Sequence, residues 1–95
     1  MKSPTLFQQW LKAHHACTSA RRWVGRKRPR VAWLTCSKPA WMHWFLLSTG
    51  LWTVRMLDAE TPAGIRRAAG YRVPYIRRAK GQVIIVWRQT HRPGA

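Results

Sequence analysis

His14, His15 and Cys17 crowd into four consecutive positions, and a second cysteine stands at position 36. Imidazole and thiolate are the common zinc ligands, but structural zinc sites draw close pairs of ligands from two places in the chain. One local group with a single distant Cys36 matches none of those spacings, so no metal site is expected. His14 and Cys17 are also three apart, a spacing that can imitate a Cys–His nucleophile pair. No carboxylate lies nearby to orient the imidazole. The only acids, Asp58 and Glu60, are two positions apart, too close in sequence to supply separated acid and base roles. The expected reading is no enzyme, no catalytic residue and no cofactor, with both cysteines as reduced core thiols.

The chemistry that remains is that of cations and aromatic rings. Eighteen Lys and Arg face two acids, a net charge of +16 over 95 residues, and positions 1–57 carry no carboxylate side chain. Such a surface repels itself and gains by meeting a polyanion. Two clusters stand out: Arg21, Arg22, Arg26, Lys27, Arg28 and Arg30, then Arg72, Arg77, Arg78 and Lys80. These ten are the candidate nucleic-acid-binding residues, acting on phosphates. Seven tryptophans accompany them, and Trp23, Trp33, Trp41 and Trp44 fall between positions 16 and 44. The simpler reading is that the Trp and Cys residues form a core, with small Ala16, Ala20 and Ala32 allowing close helix contacts. The sharper one is a platform, since a ring beside arginine stacks on a base for about 1–3 kcal/mol. Core and platform can share the seven rings.

The pattern Ala16-Cys17, Trp23, Ala32-Trp33, Cys36 and Trp41-Met42-x-Trp44 resembles a small helical domain of uncharacterised phage and bacterial proteins, some described as immunity-like. The resemblance covers residues 6–52. It implies a helical fold and a phage-related, mobile-element setting rather than a particular activity. The chain departs from the pattern at Ala40 and across positions 26–30, where relatives usually carry acids.

Helices must position these residues. Ser3-Pro4 reads as an N-cap and first helical position, with Leu6, Phe7, Trp10 and Leu11 on one face and His14 continuing it. Ala16, Ala20, Trp23 and Val24 follow helical spacing, and Gly25 suits a helix end. Pro29 can start a short helix holding Ala32, Trp33 and Cys36. Ser37-Lys38-Pro39 starts a broader apolar one with Trp41, Trp44, Phe45, Leu47 and Leu51, which Gly50 ends or kinks. The uncharged run over 39–54 holds 16 residues. As a helix it reaches about 24 Å against about 30 Å of hydrocarbon, so no transmembrane span is expected.

After Leu57 the texture changes. Thr61-Pro62 can open another helix. The stretch TPAGIRRAAGYRVPYIRRAKGQ, positions 61–82, has a helix-turn-helix look with Gly70 at the turn. Ile65, Ala69, Tyr71, Ile76 and Ala79 fall at its apolar positions, although Arg66 stands where that motif wants a small residue. On this reading 73–80 is a recognition helix turning Arg72, Arg77 and Arg78 towards DNA. The alternative is a solvated basic tail. QVIIVWR, positions 82–88, is the one clear strand signal, and a lone strand needs a partner.

The fold expected is therefore mainly α: a bundle of short helices over 1–57 and a basic extension over 58–95 carrying one strand. The expected function is binding of DNA or RNA through phosphate contacts. The alternatives are an immunity-like module that binds an acidic protein, a protein active at an anionic membrane surface, and a truncated relative without evolved function. The N-terminus lacks the apolar core and cleavage site of a signal peptide. Its arginines cluster at 21–30 rather than spreading as in a mitochondrial presequence. With so few cysteines, the expected setting is reducing and cytoplasmic.

Overall fold

Prolines and glycines set most of the boundaries. The computed structural model describes residues 3–89; residues 1–2 and 90–95, the outer ends of the two expected segments, lie outside the described residues. Pro29, Pro39 and Pro62 each stand in the first turn of a helix: α3 (Pro29–Thr35), α4 (Pro39–Thr49) and α6 (Pro62–Ala68). There the fixed φ is pre-organised and the missing N–H has no intrahelical partner to lose. Gly25, at φ 54°, ends α2 (Thr18–Val24), and Gly50, at φ 79°, ends α4. The first helix, α1 (Leu6–Ala13), is capped by Thr5 rather than Ser3, because the Thr5 hydroxyl accepts the Gln8 N–H at 3.1 Å. Thr53 and Thr61 cap α5 (Val54–Asp58) and α6 in the same way.

From Arg72 onward the chain is not helical. Residues of β1 (Arg72–Ala79) and β2 (Gln82–Gln89) pair antiparallel, from Arg72 opposite Gln89 to Ala79 opposite Gln82. Lys80 and Gly81 alone connect them, with φ of 51° and 77°. Positive φ at both central residues is what a type I′ hairpin turn requires. The fold is mixed, a helix-rich body with a two-stranded antiparallel sheet, and not the mainly α bundle with a one-strand extension.

The recognition helix expected over 73–80 is absent, because those residues are the strand that partners β2. The β-branched run of β2 requires such a partner, and Val73, Tyr75 and Ile76 favour extended backbone. Pro74, opposite Trp87, is tolerated because both strands of a two-stranded sheet are edges.

One buried cluster runs from Phe7 and Trp10 of α1 through Trp33 and Phe45 to Ile65 of α6 and Val73 of β1. Phe45 is its hub, with ring centroids of Phe7, Trp10, Trp33 and Trp87 at 5.9, 5.3, 5.9 and 5.5 Å. Trp87 brings the hairpin into this cluster. Its ring meets Trp33 edge-on at 4.9 Å, and its Nε1 donates to the Thr49 hydroxyl at 2.9 Å.

Candidate nucleic-acid interface

The ten candidate cations are spread over two stretches. Arg21 and Arg22 lie on α2, Arg26, Lys27 and Arg28 in the connection to α3, and Arg30 in the first turn of α3. Arg72, Arg77 and Arg78 lie on β1, and Lys80 is in the hairpin turn. Arg22, Arg26, Arg28, Arg30, Arg77, Arg78 and Lys80 are exposed, whereas Arg21, Lys27 and Arg72 are half-buried.

Several of the cations already hold protein groups. Lys27 donates from Nζ to the Trp23 carbonyl at 2.8 Å, and the same ammonium lies 4.7 Å from the Trp23 ring centroid. Arg26 Nη1 reaches the Ser3 carbonyl at 3.3 Å. The Arg21 Nε is buried without a hydrogen-bond partner among the described residues. Its carbonyl, with that of Gly25, accepts from Gln8 Nε2 at 2.8 and 2.7 Å, which pins the end of α2 to α1. Arg66, outside the candidate set, turns inward. Its Nη2 donates to the Cys36 carbonyl at 2.7 Å and its Nε to the Trp33 carbonyl at 3.3 Å. That places a guanidinium on the carbonyl end of α3, where the helix dipole is negative.

The strand separates residues that the expected helix would have presented together. Successive side chains on a strand point to opposite faces. Arg77 therefore shares a face with Tyr75, while Arg72 and Arg78 share the other with Pro74 and Ile76. Ile76, Val83, Ile85 and Trp87 pack against the core, so the second face is the inward one; the first is buried at Val73 and turns outward at Tyr75 and Arg77. Tyr75 is 38% exposed, and the Arg88 guanidinium lies 5.4 Å from its ring centroid.

Part of the first cluster faces the strand that carries the second. A cleft of 290 Å³ opens between residues 28–31 at the start of α3 and residues 74–76 of β1. Arg28 and Arg30 line one wall, with Tyr75 and Ile76 on the other. Of the ten candidates only Arg28 and Arg30 line this cleft; Arg21, Arg22, Arg26, Lys27, Arg72, Arg77, Arg78 and Lys80 do not. Tyr75 and Arg88 were not among the sequence candidates. The signal that could have found them is the alternation Val73, Tyr75, Arg77 beside Ile84, Val86, Arg88, which the interposed Pro74 obscures.

The tryptophans divide unevenly between core and surface. Trp10 and Trp33 are buried, Trp23, Trp41, Trp44 and Trp87 pack against the core, and Trp52 is 49% exposed. Cys36 is buried, but Cys17, at the start of α2, is exposed, which corrects the expectation of two core thiols. The N-cap position turns its side chain out of the helix-packing surface. Among the described residues no three His, Cys, Asp or Glu side chains gather in a group that could hold a metal ion. His14 instead stacks on Trp10, with centroids 4.1 Å apart. Among the described residues no helix is long and apolar enough to cross a membrane. Comparison with protein-family models, curated proteins and solved structures finds no match.

Proposed function

We propose that this chain is a non-enzymatic binder of nucleic acid that grips phosphates through its exposed arginines. The observation that carries the reading is the charge balance. The chain carries +16, its two acids are themselves exposed, and Arg22, Arg28, Arg30, Arg77 and Arg78 stand at the surface. Phosphate contacts position a protein without reading sequence, so no base preference follows from charge. The resemblance of residues 6–52 to phage and bacterial immunity-like proteins adds a mobile-element setting to this proposal, and a cytoplasmic site of action accords with it.

A second reading, an interaction module for an acidic protein, has its own observation. Leu47, Trp52 and Val54 are 51, 49 and 67% exposed around the end of α4 and the start of α5. That is apolar surface of the kind a protein contact covers.

A titration against DNA and RNA at several salt concentrations separates the two. If phosphates are gripped, log K falls against log salt by about 0.9 per duplex phosphate or about 0.7 per single-strand phosphate. No salt-sensitive binding of either nucleic acid at micromolar protein would reject the first reading and leave the second. Binding only to anionic vesicles, with a blue shift of tryptophan fluorescence, would instead assign the charge to a membrane surface.

A further inference from the structure

We infer that the cleft between residues 28–31 and 74–76 seats an unpaired nucleotide of a single-stranded nucleic acid, an inference that rests on the function proposed above. The lining combines two kinds of group. Arg28 and Arg30 supply cations from the α3 wall, beside Pro29 and Val31, and Tyr75, on the stretch 74–76, supplies an exposed ring. No acid lines the cleft. A ligand that satisfies both walls carries negative charge beside a flat, weakly polar face. A nucleotide has that pairing: phosphate for the guanidinium and base for the tyrosine ring.

Size and access favour a single strand over a duplex. At 290 Å³, the cleft is near the lower end of the range for small-molecule sites, about 300–1,000 Å³. It suits one nucleotide unit and not the width of a double helix. In a duplex the base faces are stacked on one another, whereas in a single strand they are free to stack on an aromatic side chain. Tyr75 is held for this by its surroundings. It lies mid-strand opposite Val86, and the Arg88 guanidinium packs 5.4 Å from its ring. Arg77, on the same outward face, extends the basic track towards the hairpin turn.

The test uses the full chain with labelled oligo-dT, oligo-U and a blunt duplex of equal length, followed by fluorescence anisotropy at several salt concentrations. The wild-type protein is expected to bind the single strands more tightly than the duplex. Tyr75→Ala should weaken single-strand binding by about five- to 150-fold, the range of one lost stack, with the salt slope unchanged. Tyr75→Phe should keep the affinity. Tyr75→Thr, which retains a strand-favouring side chain, reports in place of Tyr75→Ala should the latter lose its fold by circular dichroism. The double variant Arg28→Gln/Arg30→Gln should lower the single-strand slope by about 1.4.

Equal affinity for oligo-dT and oligo-U means that the sugar is not read. A preference for oligo-U assigns the source to RNA, because only RNA carries the 2′-hydroxyl. Wild-type affinity in both Tyr75→Thr and Tyr75→Ala, with salt-sensitive binding intact, overturns the seat and leaves the phosphate-binding reading standing. So does a duplex that binds more tightly than the single strands. Displacement of the oligonucleotide from the wild-type protein by poly-glutamate of equal charge overturns it in favour of a carboxylate-rich partner. Absence of any salt-sensitive nucleic-acid binding overturns both.

Discussion

The two basic stretches, residues 21–30 and residues 66–80, differ in what their cations do. In the first, Lys27 and Arg26 hold carbonyls close by or at the N-terminal lead-in, those of Trp23 and Ser3. In the second, Arg66 reaches thirty and thirty-three residues back, to the carbonyls of Cys36 and Trp33, and so fastens α6 to the end of α3. Arg77 and Arg78, a turn of sequence later, are exposed on the hairpin. A chain with only two acids cannot balance its arginines with carboxylates. It uses backbone carbonyls instead, above all the negative end of a helix. Arg26, Lys27 and Arg66 thus serve the fold, while Arg22, Arg28, Arg30, Arg77 and Arg78 stay exposed.

Trp33 is where the two regions join, and its removal should have the largest effect. Its ring is 4% exposed and meets Trp87 of the hairpin, while its carbonyl receives Arg66. Trp33→Ala is expected to cost about 3–5 kcal/mol, which competes with the whole stability of a small domain, about 5–15 kcal/mol. Thermal melts followed by far-ultraviolet circular dichroism and by tryptophan fluorescence should lose helix and hairpin together. A variant that keeps its helices while the Trp87 environment melts early would show the hairpin to be a separate unit. Trp33→Phe is the useful companion, because the indole Nε1 is buried without a partner among the described residues and phenylalanine removes that donor.

Arg66 and its neighbour Arg67 provide the next test, since both are arginines of α6 and only Arg67 is exposed. Arg66→Gln leaves the last carbonyls of α3 without a charged donor, a loss of about 1.5–3 kcal/mol for hydrogen bonds of this kind. In a domain of this size each kcal/mol lowers Tm by about 4–8 °C. Arg67→Gln should stay within about 0.5 kcal/mol of the parent. Equal melts for the two variants would mean that the inward arginine is not structural. A salt slope for nucleic acid that falls only in Arg66→Gln would assign it to the ligand.

The helical half was legible because its signals are local. Pro29, Pro39, Pro62, Gly25 and Gly50 fix helix ends through their own φ preferences, and the Trp and Phe spacing identifies the side that packs. The strand β1 was not legible for two reasons. Pro74 argues against a strand unless the sheet has only edges, and paired arginines among Val73, Ile76 and Ala79 also fit a helical period. The decisive signal was non-local: β2 needs an antiparallel partner, and the eight residues before the Lys80-Gly81 turn are the ones that can reach it. The candidate site was legible in part. Arg28 and Arg30 were visible as charge, but their position opposite Tyr75 follows from the contact between α3 and β1, which no residue announces by type.

The smallest expected effect separates adjacent arginines on that strand. Arg77 and Arg78 carry equal charge and are both exposed, so Arg77→Gln and Arg78→Gln should each leave Tm nearly unchanged. Their neighbours differ. Arg77 stands opposite Ile84 on the outward face with Tyr75, and Arg78 stands opposite Val83 on the face that the core covers further along. A single strand lying along the outward face contacts Arg77 directly, so Arg77→Gln should lower its salt slope by about 0.7, one phosphate's share. Near physiological salt a charge is screened over about 8 Å, so Arg78, pointing away, should leave the slope within error. Equal losses from the two variants would mean that the ligand follows net charge and not a face of the hairpin. A larger loss from Arg78→Gln would move the contact to the opposite face and away from Tyr75.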